Sequence, residues 1–370
     1  MLSHLLKLAR RLDPWLFLSM VFLMAMGLLL HYGLVVGGEE ARWDYFYRQA
    51  FYVILSVIGF FLFAKIDYRF FRGNSRWWLS LGVVLLLMVL LFGQTIRGAS
   101  GWFRIGPVQF QPVEFVKILT IVVLANFFSR YARNVKQWRY VILSGVGVWG
   151  LVVLLVFQPD LGSAAILLLT WLGMLMLVGL RKRQVAAILV SALTLGLLIW
   201  TFFLHDYQKS RLEIFFHPDR APLVEGYNAR QALLAVGSGQ LVGRGLGFGS
   251  QSQLRFLPEA RTDFIFAVLA EELGFLGVSV LLLTWLLLIM RLLSFVFVSH
   301  DDFAIFVLVG AIILLVIQVG VNVGMNMGLV PVTGITLPFV SFGGSSMLAT
   351  AILLGLSQSI RWRQLRPAAV

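Results

Sequence analysis

Long apolar runs, separated by short polar segments, make up most of this chain. A membrane-spanning helix needs about 20 consecutive apolar residues. The pattern therefore predicts an all-α polytopic membrane protein, a single integral membrane domain over residues 1–370 with ten transmembrane helices. The expected spans are 15–36, 46–65, 77–94, 113–130, 140–158, 163–180, 184–204, 263–292, 303–327 and 345–361. A large loop, residues 205–262, separates the seventh span from the eighth.

Composition supports a membrane protein and narrows the chemistry. Hydrophobic residues make up 59% of the chain and charged residues 13%, whereas soluble proteins carry about 25% charged residues. Because the chain has no cysteine, disulfides and thiolate metal sites are excluded. Basic cytoplasmic loops account for a net charge of +13, so we infer no nucleic-acid partner from that charge.

Arginine and lysine concentrate in alternate connecting segments, which sets the predicted orientation. Most of the 30 lie at 7–11, 65–76, 130–139, 181–183 and 361–366. Basic loops face the cytoplasm, so both termini are expected there. The first apolar run is too long for a cleaved signal peptide and is expected to anchor the chain.

The unusual polar segments then fall on the outer face. They are the loop 95–112 with Arg104, the turn ending at Asp160, the loop 205–262 and the Gly/Pro-rich loop 328–344. Irregular backbone at membrane depth is tolerated only where protein or a cavity surrounds it, so the last loop is expected to fold inward. No convincing internal repeat, such as many transporters carry, is evident.

Asp263 is the leading candidate for chemistry. Thr262 is expected to cap the eighth helix and Asp263 to lie in its first turn, where the helix dipole stabilises a carboxylate. In an average helix this would be a simple N-terminal aspartate. Here Arg255, Glu259 and Arg261 precede it at the mouth of a membrane helix, which favours catalysis or metal binding.

Two further groups of charges lie inside predicted spans. Glu114 and Lys117 are spaced i, i+3, so they share a helix face, either as a packing ion pair or as the lining of a polar cavity. Glu271 and Glu272 lie about 12 Å below Asp263 at 1.5 Å per residue, too deep for chemistry at the outer surface. We expect both to be buried, hydrogen-bonded and structural.

Glycines are dense from 237 to 249, and Arg244 lies among them. Such a segment can turn backbone amides toward an anion, or it can be a flexible loop. A nucleotide-binding loop fits poorly, because no Gly-Lys-Ser/Thr follows.

Several motifs together resemble the SEDS family (shape, elongation, division and sporulation proteins) over nearly the whole chain. They are Gln111-Pro-Val-Glu-Phe-Val-Lys117, Phe157-Gln-Pro-Asp-Leu-Gly162, His205-Asp-Tyr-Gln208, Gly249-Ser-Gln251, Phe256-Leu-Pro-Glu259, Thr262-Asp-Phe-Ile-Phe-Ala-Val268, Ala270-Glu-Glu-Leu-Gly274, Leu337-Pro338 and Ser341-Phe-Gly-Gly-Ser345. Within the family, the Gly-Ser-Gln and Phe-Leu-Pro-Glu pattern resembles the elongation (RodA) branch more than the division (FtsW) branch. Val113 replaces a small polar residue usual in the family, and Arg261 replaces the usual histidine.

The resemblance implies an inverting peptidoglycan glycosyltransferase, with no nucleotide cofactor, in the bacterial cytoplasmic (inner) membrane. It would polymerise lipid II on the outer face during cell elongation and shape maintenance. Its partners would be a class B penicillin-binding protein, the transpeptidase, and other membrane proteins of the elongation complex. The alternatives are a flippase for the same lipid and a non-catalytic scaffold.

The resemblance also implies roles for particular residues. Asp263 matches the essential acidic residue of the family, as catalytic base or as ligand of a divalent cation, Mg²⁺ or Mn²⁺. Glu114 and Lys117 match its intramembrane acid–base pair. The predicted substrate-binding residues are Lys117, Glu114, Arg104, Arg211, Arg244 and Asp160.

Overall fold

The computed structural model describes residues 12–37, 43–96, 99–106, 108–202, 206–216, 227–254 and 256–364. The first seven α-helices are α1 Pro14–Val36, α2 Trp43–Lys65, α3 Ser75–Phe92, α4 Pro112–Tyr131, α5 Trp138–Phe157, α6 Leu161–Val178 and α7 Lys182–Phe202. The remaining six are α8 Asp206–Phe216, α9 Tyr227–Ser238, α10 Ser250–Gln253, α11 Ile265–Val298, α12 Asp302–Asn326 and α13 Gly344–Gln364. The predicted all-α class is confirmed.

Eight helices in the described ranges are long and apolar enough to cross a membrane, which makes this a multi-pass membrane protein. The predicted spans 184–204 and 345–361 correspond to α7 and α13, which are not among the eight, so the count of ten stays a prediction. Helix α13 is more polar than the eight apolar helices. Its polar side chains are tolerated because they are buried within the protein. Ser346, Ser357 and Gln358 on this helix are all buried.

The expected loops contain regular structure. Residues 95–112 include a small antiparallel sheet in the order β1-β2-β3, formed by Gln94–Ile96, Ala99–Ile105 and Val108–Phe110. Strands this short do not stand out as an alternating pattern, so the sequence analysis described the segment only as an outer loop. The segment 205–262 likewise contains α8, α9 and α10.

Helix α11 is broken at Gly274, where φ is 65° and ψ is −164°. This conformation is essentially restricted to glycine. The part after the break is roughly 36 Å long at 1.5 Å per residue, enough to cross a bilayer alone. The predicted span from about 263 matches a helix that begins at Ile265, but the break at Gly274 was not predicted.

The glycine-rich segment, residues 237–249, packs against this break and provides partners for its backbone. Phe275 N donates to Gln240 O (2.8 Å), and Arg244 N donates to Glu271 O (2.9 Å). Gly245 N donates to Glu272 O (3.0 Å). The amides of Arg244 and Gly245 are therefore bonded to carbonyls of α11, which argues against a flexible loop, whereas binding of an anion by other amides of the segment stays a prediction.

Glu271 and Glu272 are fully buried and hydrogen-bonded, as expected. Glu271 accepts from the backbone amides of Gln251 (2.8 Å) and Ser252 (3.0 Å) in the first turn of α10. Glu272 accepts from Gln253 Nε2 (3.0 Å). Both carboxylates therefore anchor the segment before α11 onto the helix.

Asp13 joins three helices at the end of the bundle where α1 begins. It is fully buried, accepts from Leu16 N (2.8 Å), and forms ion pairs with Arg361 of α13 (2.6 Å) and Arg291 of α11. Burial alone would raise the pKa of the Asp13 carboxyl. The hydrogen bonds from Arg291 and Leu16, with the charges of both arginines, outweigh burial and lower that pKa below 3.8.

We expect Gly274→Ala to destabilise the protein by about 3 kcal/mol or more, because its φ is strained for alanine and the added Cβ would collide with Gly243 N. Gly320→Ala in α12 is the matched control, since a Cβ there meets nothing within 4 Å. Thermal unfolding in detergent should show a large loss for the first variant and an unchanged or slightly higher Tm for the second. Equal Tm values for the Gly274→Ala and Gly320→Ala variants would contradict a glycine-dependent break at Gly274.

Because the folded-state pKa of Asp13 lies below its unfolded value, its stabilising contribution is complete well above pH 3.8. That contribution is lost as the pH falls through the lowered pKa. Asp13→Asn leaves two arginines without their partner and should cost on the order of 3 kcal/mol at pH 7. Unfolding measured from pH 7 down to pH 3 should show less acid sensitivity in the variant than in wild type.

Candidate functional site

Asp263 lies in the turn just before α11, half-buried. The N-cap of α11 is Phe264, so Asp263 precedes the helix by one further residue, still near its positive end. The expected capping role of Thr262 is wrong. Its hydroxyl instead donates to the carbonyl (3.4 Å) and carboxylate (3.3 Å) oxygens of Glu259, closing the turn.

The inserted loop, defined here as residues 328–343, holds this turn. Ser341 Oγ donates to Thr262 O (2.6 Å), and Phe342 N donates to Arg261 O (2.8 Å). Within the loop, Leu337 N donates to Ser341 Oγ (2.8 Å). Leu337 and Ser341 are buried, which confirms the expected inward fold.

The start of α2 braces the same turn from the other side. The guanidinium of Arg261 lies 4.2 Å from the centre of the Tyr45 ring, a close cation–π contact. Tyr45 packs edge-on against Phe342 at 5.4 Å, and Gln49 Nε2 donates to Ser341 O (3.2 Å). The arginine that departs from the family pattern is thus built into the support of Asp263.

Two asparagines of α12 contact the backbone of Asp263. Asn322 Nδ2 and Asn326 Nδ2 both donate to Asp263 O, at 3.1 and 3.0 Å. The sequence analysis missed both residues. The sequence pattern that could have identified them is a pair of asparagines spaced i, i+4 in an otherwise apolar helix. This spacing places both on one helix face.

Glu114 and Lys117 form the expected pair on α4. Lys117 Nζ lies 2.8 Å from Glu114 Oε1. The Lys117 side chain is 2% exposed and the Glu114 side chain 8% exposed. The ion-pair interpretation is confirmed, whereas contact with a substrate stays a prediction. A ligand that approached Lys117 would compete with Glu114 for its ammonium group.

Three consecutive residues of the inserted loop, Thr333 to Ile335, lie near different parts of the candidate site. A Cβ at Gly334 would lie 3.6 Å from Asp263 Oδ2. Ile335 packs in one apolar cluster with Ile118 of α4. Thr333 O would lie 2.6 Å from a Cβ at Gly162 in α6.

Asp160, two residues before Gly162, caps α6 by accepting from Ser163 N (2.9 Å). The start of α6 lies beside the inserted loop, because Gly162 is close to Thr333 O. Its predicted contact with substrate stays a prediction, because the structure gives it a capping role.

The three candidate arginines belong to different segments of the chain: β2, the glycine-rich segment and α8. Arg104 is exposed on β2 opposite Gln109, whose carbonyl accepts from Ser345 Oγ (3.5 Å) near the end of the inserted loop. Arg244 is exposed beside the α11 break, roughly 12 Å from Asp263 along the helix axis. Arg211 belongs to α8, and its side chain lies outside the described part of the chain.

The acidic and histidine side chains of the described residues bear on the predicted divalent cation. Within the described residues, no group of three His, Cys, Asp or Glu side chains is placed to hold a metal ion. Mg²⁺ is often held by one or two carboxylates together with substrate phosphates. The described residues therefore offer no cage made of protein alone, and a cation shared between Asp263 and a substrate phosphate stays a prediction.

Comparison with known proteins places the chain in a family. The sequence profile of the FtsW/RodA/SpoVE cell cycle proteins matches residues 14–364. The chain belongs to this SEDS family.

Relatives from several branches of the SEDS family are similar to this member. It is 36% identical over 358 residues to the probable peptidoglycan glycosyltransferase FtsW of Thiomicrospira cyclica, covering 94% of this chain and 91% of the relative. It is 34% identical over 341 residues to the peptidoglycan glycosyltransferase MrdB of Escherichia coli K12, covering 92% of each. Stage V sporulation protein E of Bacillus subtilis is 33% identical over 361 residues, covering 95% and 98%.

Chains of two solved structures share the fold. The crystal structure of the rod shape determining protein RodA of Thermus thermophilus matches with a TM-score of 0.70 and 28% identity, over 96% of this chain and 98% of that one. A chain from a peptidoglycan synthase complex that coordinates polymerization and crosslinking matches with a TM-score of 0.80 and 30% identity, over 96% and 99%.

Removing one member of the α4 ion pair should destabilise this SEDS protein more than removing both. Lys117→Met leaves the Glu114 carboxylate buried without its partner, a cost of about 3–5 kcal/mol. Adding Glu114→Leu removes the second charge at similar volume and should restore most of that stability. Thermal unfolding of the single and double variants measures the difference, and equal losses would contradict a buried pair.

Proposed function

We propose that this protein is a peptidoglycan glycosyltransferase that polymerises lipid II at the outer face of the bacterial cytoplasmic (inner) membrane, with both termini in the cytoplasm. Its SEDS membership and the names of its relatives support the reaction. The observation that carries the proposal is the inserted loop, which brings the Asp263 carboxylate to the same end of the bundle as the start of α4.

Asp263 acts as the general base in this proposal. The donor sugar is α-linked to pyrophosphate and the product linkage is β, so the transfer inverts the configuration at the anomeric carbon. The acceptor 4-hydroxyl oxygen forms the new bond to that carbon, and its proton passes to the Asp263 carboxylate. The bond from the anomeric carbon to the pyrophosphate oxygen breaks, and polyprenyl pyrophosphate leaves with the electron pair. Cleavage of that bond supplies the energy without a nucleotide.

Cationic groups near the inserted loop stabilise the leaving pyrophosphate. Lys117 would exchange part of its contact with Glu114 for a phosphate oxygen, since the two acceptors compete for one ammonium group. Arg104, on the sheet beside Ser345, is better placed than Arg244, which lies at the α11 break. Mg²⁺ or Mn²⁺ bound to the pyrophosphate would supply further positive charge at the leaving group. Asp263 would hold that cation in the alternative in which it acts as a ligand instead of as the base.

The elongation role and the partner belong to the same proposal. The Gly249-Ser-Gln251 and Phe256-Leu-Pro-Glu259 motifs favour the RodA branch. The similarity to a chain of a peptidoglycan synthase complex supports a complex with a class B penicillin-binding protein. The elongation complex would provide the other membrane partners.

The decisive experiment measures glycan polymerisation from purified lipid II by the detergent-solubilised protein, alone and with its class B partner. Asp263→Ala should reduce polymerisation at least a hundredfold, the size of effect typical for loss of a positioned general base. Asp44→Ala is the matched control, because this exposed aspartate pairs only loosely with Arg48, at 4.0 Å. The control should retain wild-type polymerisation.

Equal polymer from a folded Asp263→Ala variant and wild type would remove Asp263 as the base. No polymer from wild type, even with partner and divalent cation, would favour the flippase alternative. Lipid II translocation in vesicles would then be the next measurement. A scaffold would retain its cellular function in the Asp263→Ala variant.

A further inference from the structure

We infer that Asn322 and Asn326 are positioning residues that set the location of the Asp263 carboxylate from the neighbouring helix α12. The inference rests on the proposed function, because it gives Asp263 the role of base. Neither asparagine needs to touch the substrate. Both side chains are fully buried, and four of their five hydrogen bonds are with backbone groups outside α12.

Asn326 provides the cap that α11 cannot provide for itself. The N-cap residue Phe264 has no side-chain acceptor, although a helix normally satisfies its first amides with a polar N-cap side chain. Asn326 Oδ1 accepts from Ala267 N at 3.1 Å, the third amide of the helix. Its Nδ2 donates to Asp263 O (3.0 Å), so one amide group fixes both ends of this turn.

Asn322 connects the same carbonyl to the inserted loop. Its Nδ2 donates to Asp263 O (3.1 Å) and to Ile335 O (2.7 Å). Ile335 follows Gly334, the residue whose Cβ position lies 3.6 Å from the Asp263 carboxylate. The single amide therefore sets the spacing between the base and the loop segment beside it.

The side-chain amide of Asn326 is also bonded to the backbone of Asn322. Asn326 Nδ2 donates to Asn322 O (2.8 Å), one turn earlier on the same helix face. Buried polar side chains in an apolar membrane helix are costly and are retained where they satisfy other groups or serve function. Here the group they satisfy is the backbone of the proposed base.

A displacement of about 1 Å in a reacting group can reduce turnover about a hundredfold. Asn322→Leu and Asn326→Leu keep a similar side-chain volume and remove the hydrogen bonds. We expect each to lower the kcat of lipid II polymerisation tenfold to a hundredfold, with KM for lipid II within about threefold of wild type. Because the substrate contacts would be intact, the variants should lose activity in kcat and not in KM.

Asn126 on α4 offers a matched control. It is buried to the same degree, accepts from Gly73 N (2.7 Å) and donates to Phe71 O (2.9 Å). It therefore ties a helix to a neighbouring loop as Asn326 does, at residues remote from Asp263. Asn126→Leu should lower the Tm by an amount similar to Asn326→Leu and leave kcat within twofold of wild type.

Hydrogen exchange provides a readout independent of activity. In Asn326→Leu, amides in the peptide 262–268 should exchange at least tenfold faster than in wild type, whereas Asn126→Leu should leave that peptide unchanged. If a leucine variant does not fold, Asn322→Ala and Asn326→Ala replace it in both measurements.

Unchanged exchange over 262–268 overturns the inference, as does a kcat loss in Asn126→Leu equal to that in Asn326→Leu. A loss expressed in KM alone also overturns it, because it indicates a binding role. If wild type makes no polymer, the proposed function fails. The exchange measurement still decides whether the asparagines hold the Asp263 turn.

Discussion

Backbone groups that leave regular helix within a membrane must find partners in the protein, because the bilayer core offers no water. Much of this structure follows from that requirement. Helix α11 breaks at Gly274, and the glycine-rich segment takes over the hydrogen bonds that the break releases. The inserted loop satisfies its backbone through Ser341 and Asn322, which reach the turn that carries Asp263.

The same requirement connects support of the fold to placement of the proposed base. The groups that complete the backbone around Asp263 come from four elements: α2, the turn itself, α12 and the inserted loop. We therefore expect a change in the spacing of any of these elements to move the carboxylate. Buried charge is handled similarly: Asp13 and Glu114 each have basic partners, which lowers the cost of keeping them out of water.

Much of the architecture could be predicted from the sequence. Apolar runs of the required length located the membrane helices, and an i, i+3 spacing identified the Glu114–Lys117 pair, because both patterns act within one helix. Predictions that depended on a distant partner were less successful. The cap of α11 comes from Asn326, 59 residues from Ala267, and local reasoning assigned it to Thr262.

The sequence by itself determined the all-α membrane class, the family and the residue types available for chemistry. Each of these follows from composition, local spacing or short motifs. The tertiary structure alone decided which side-chain amides donate to Asp263 O and that the amides of Arg244 and Gly245 donate to helix carbonyls. It alone also placed Thr333 beside α6, Gly334 beside the Asp263 carboxylate and Ile335 against Asn322 of α12. Hydrogen bonds and packing depend on separation in space, which the order of residues along the chain does not specify.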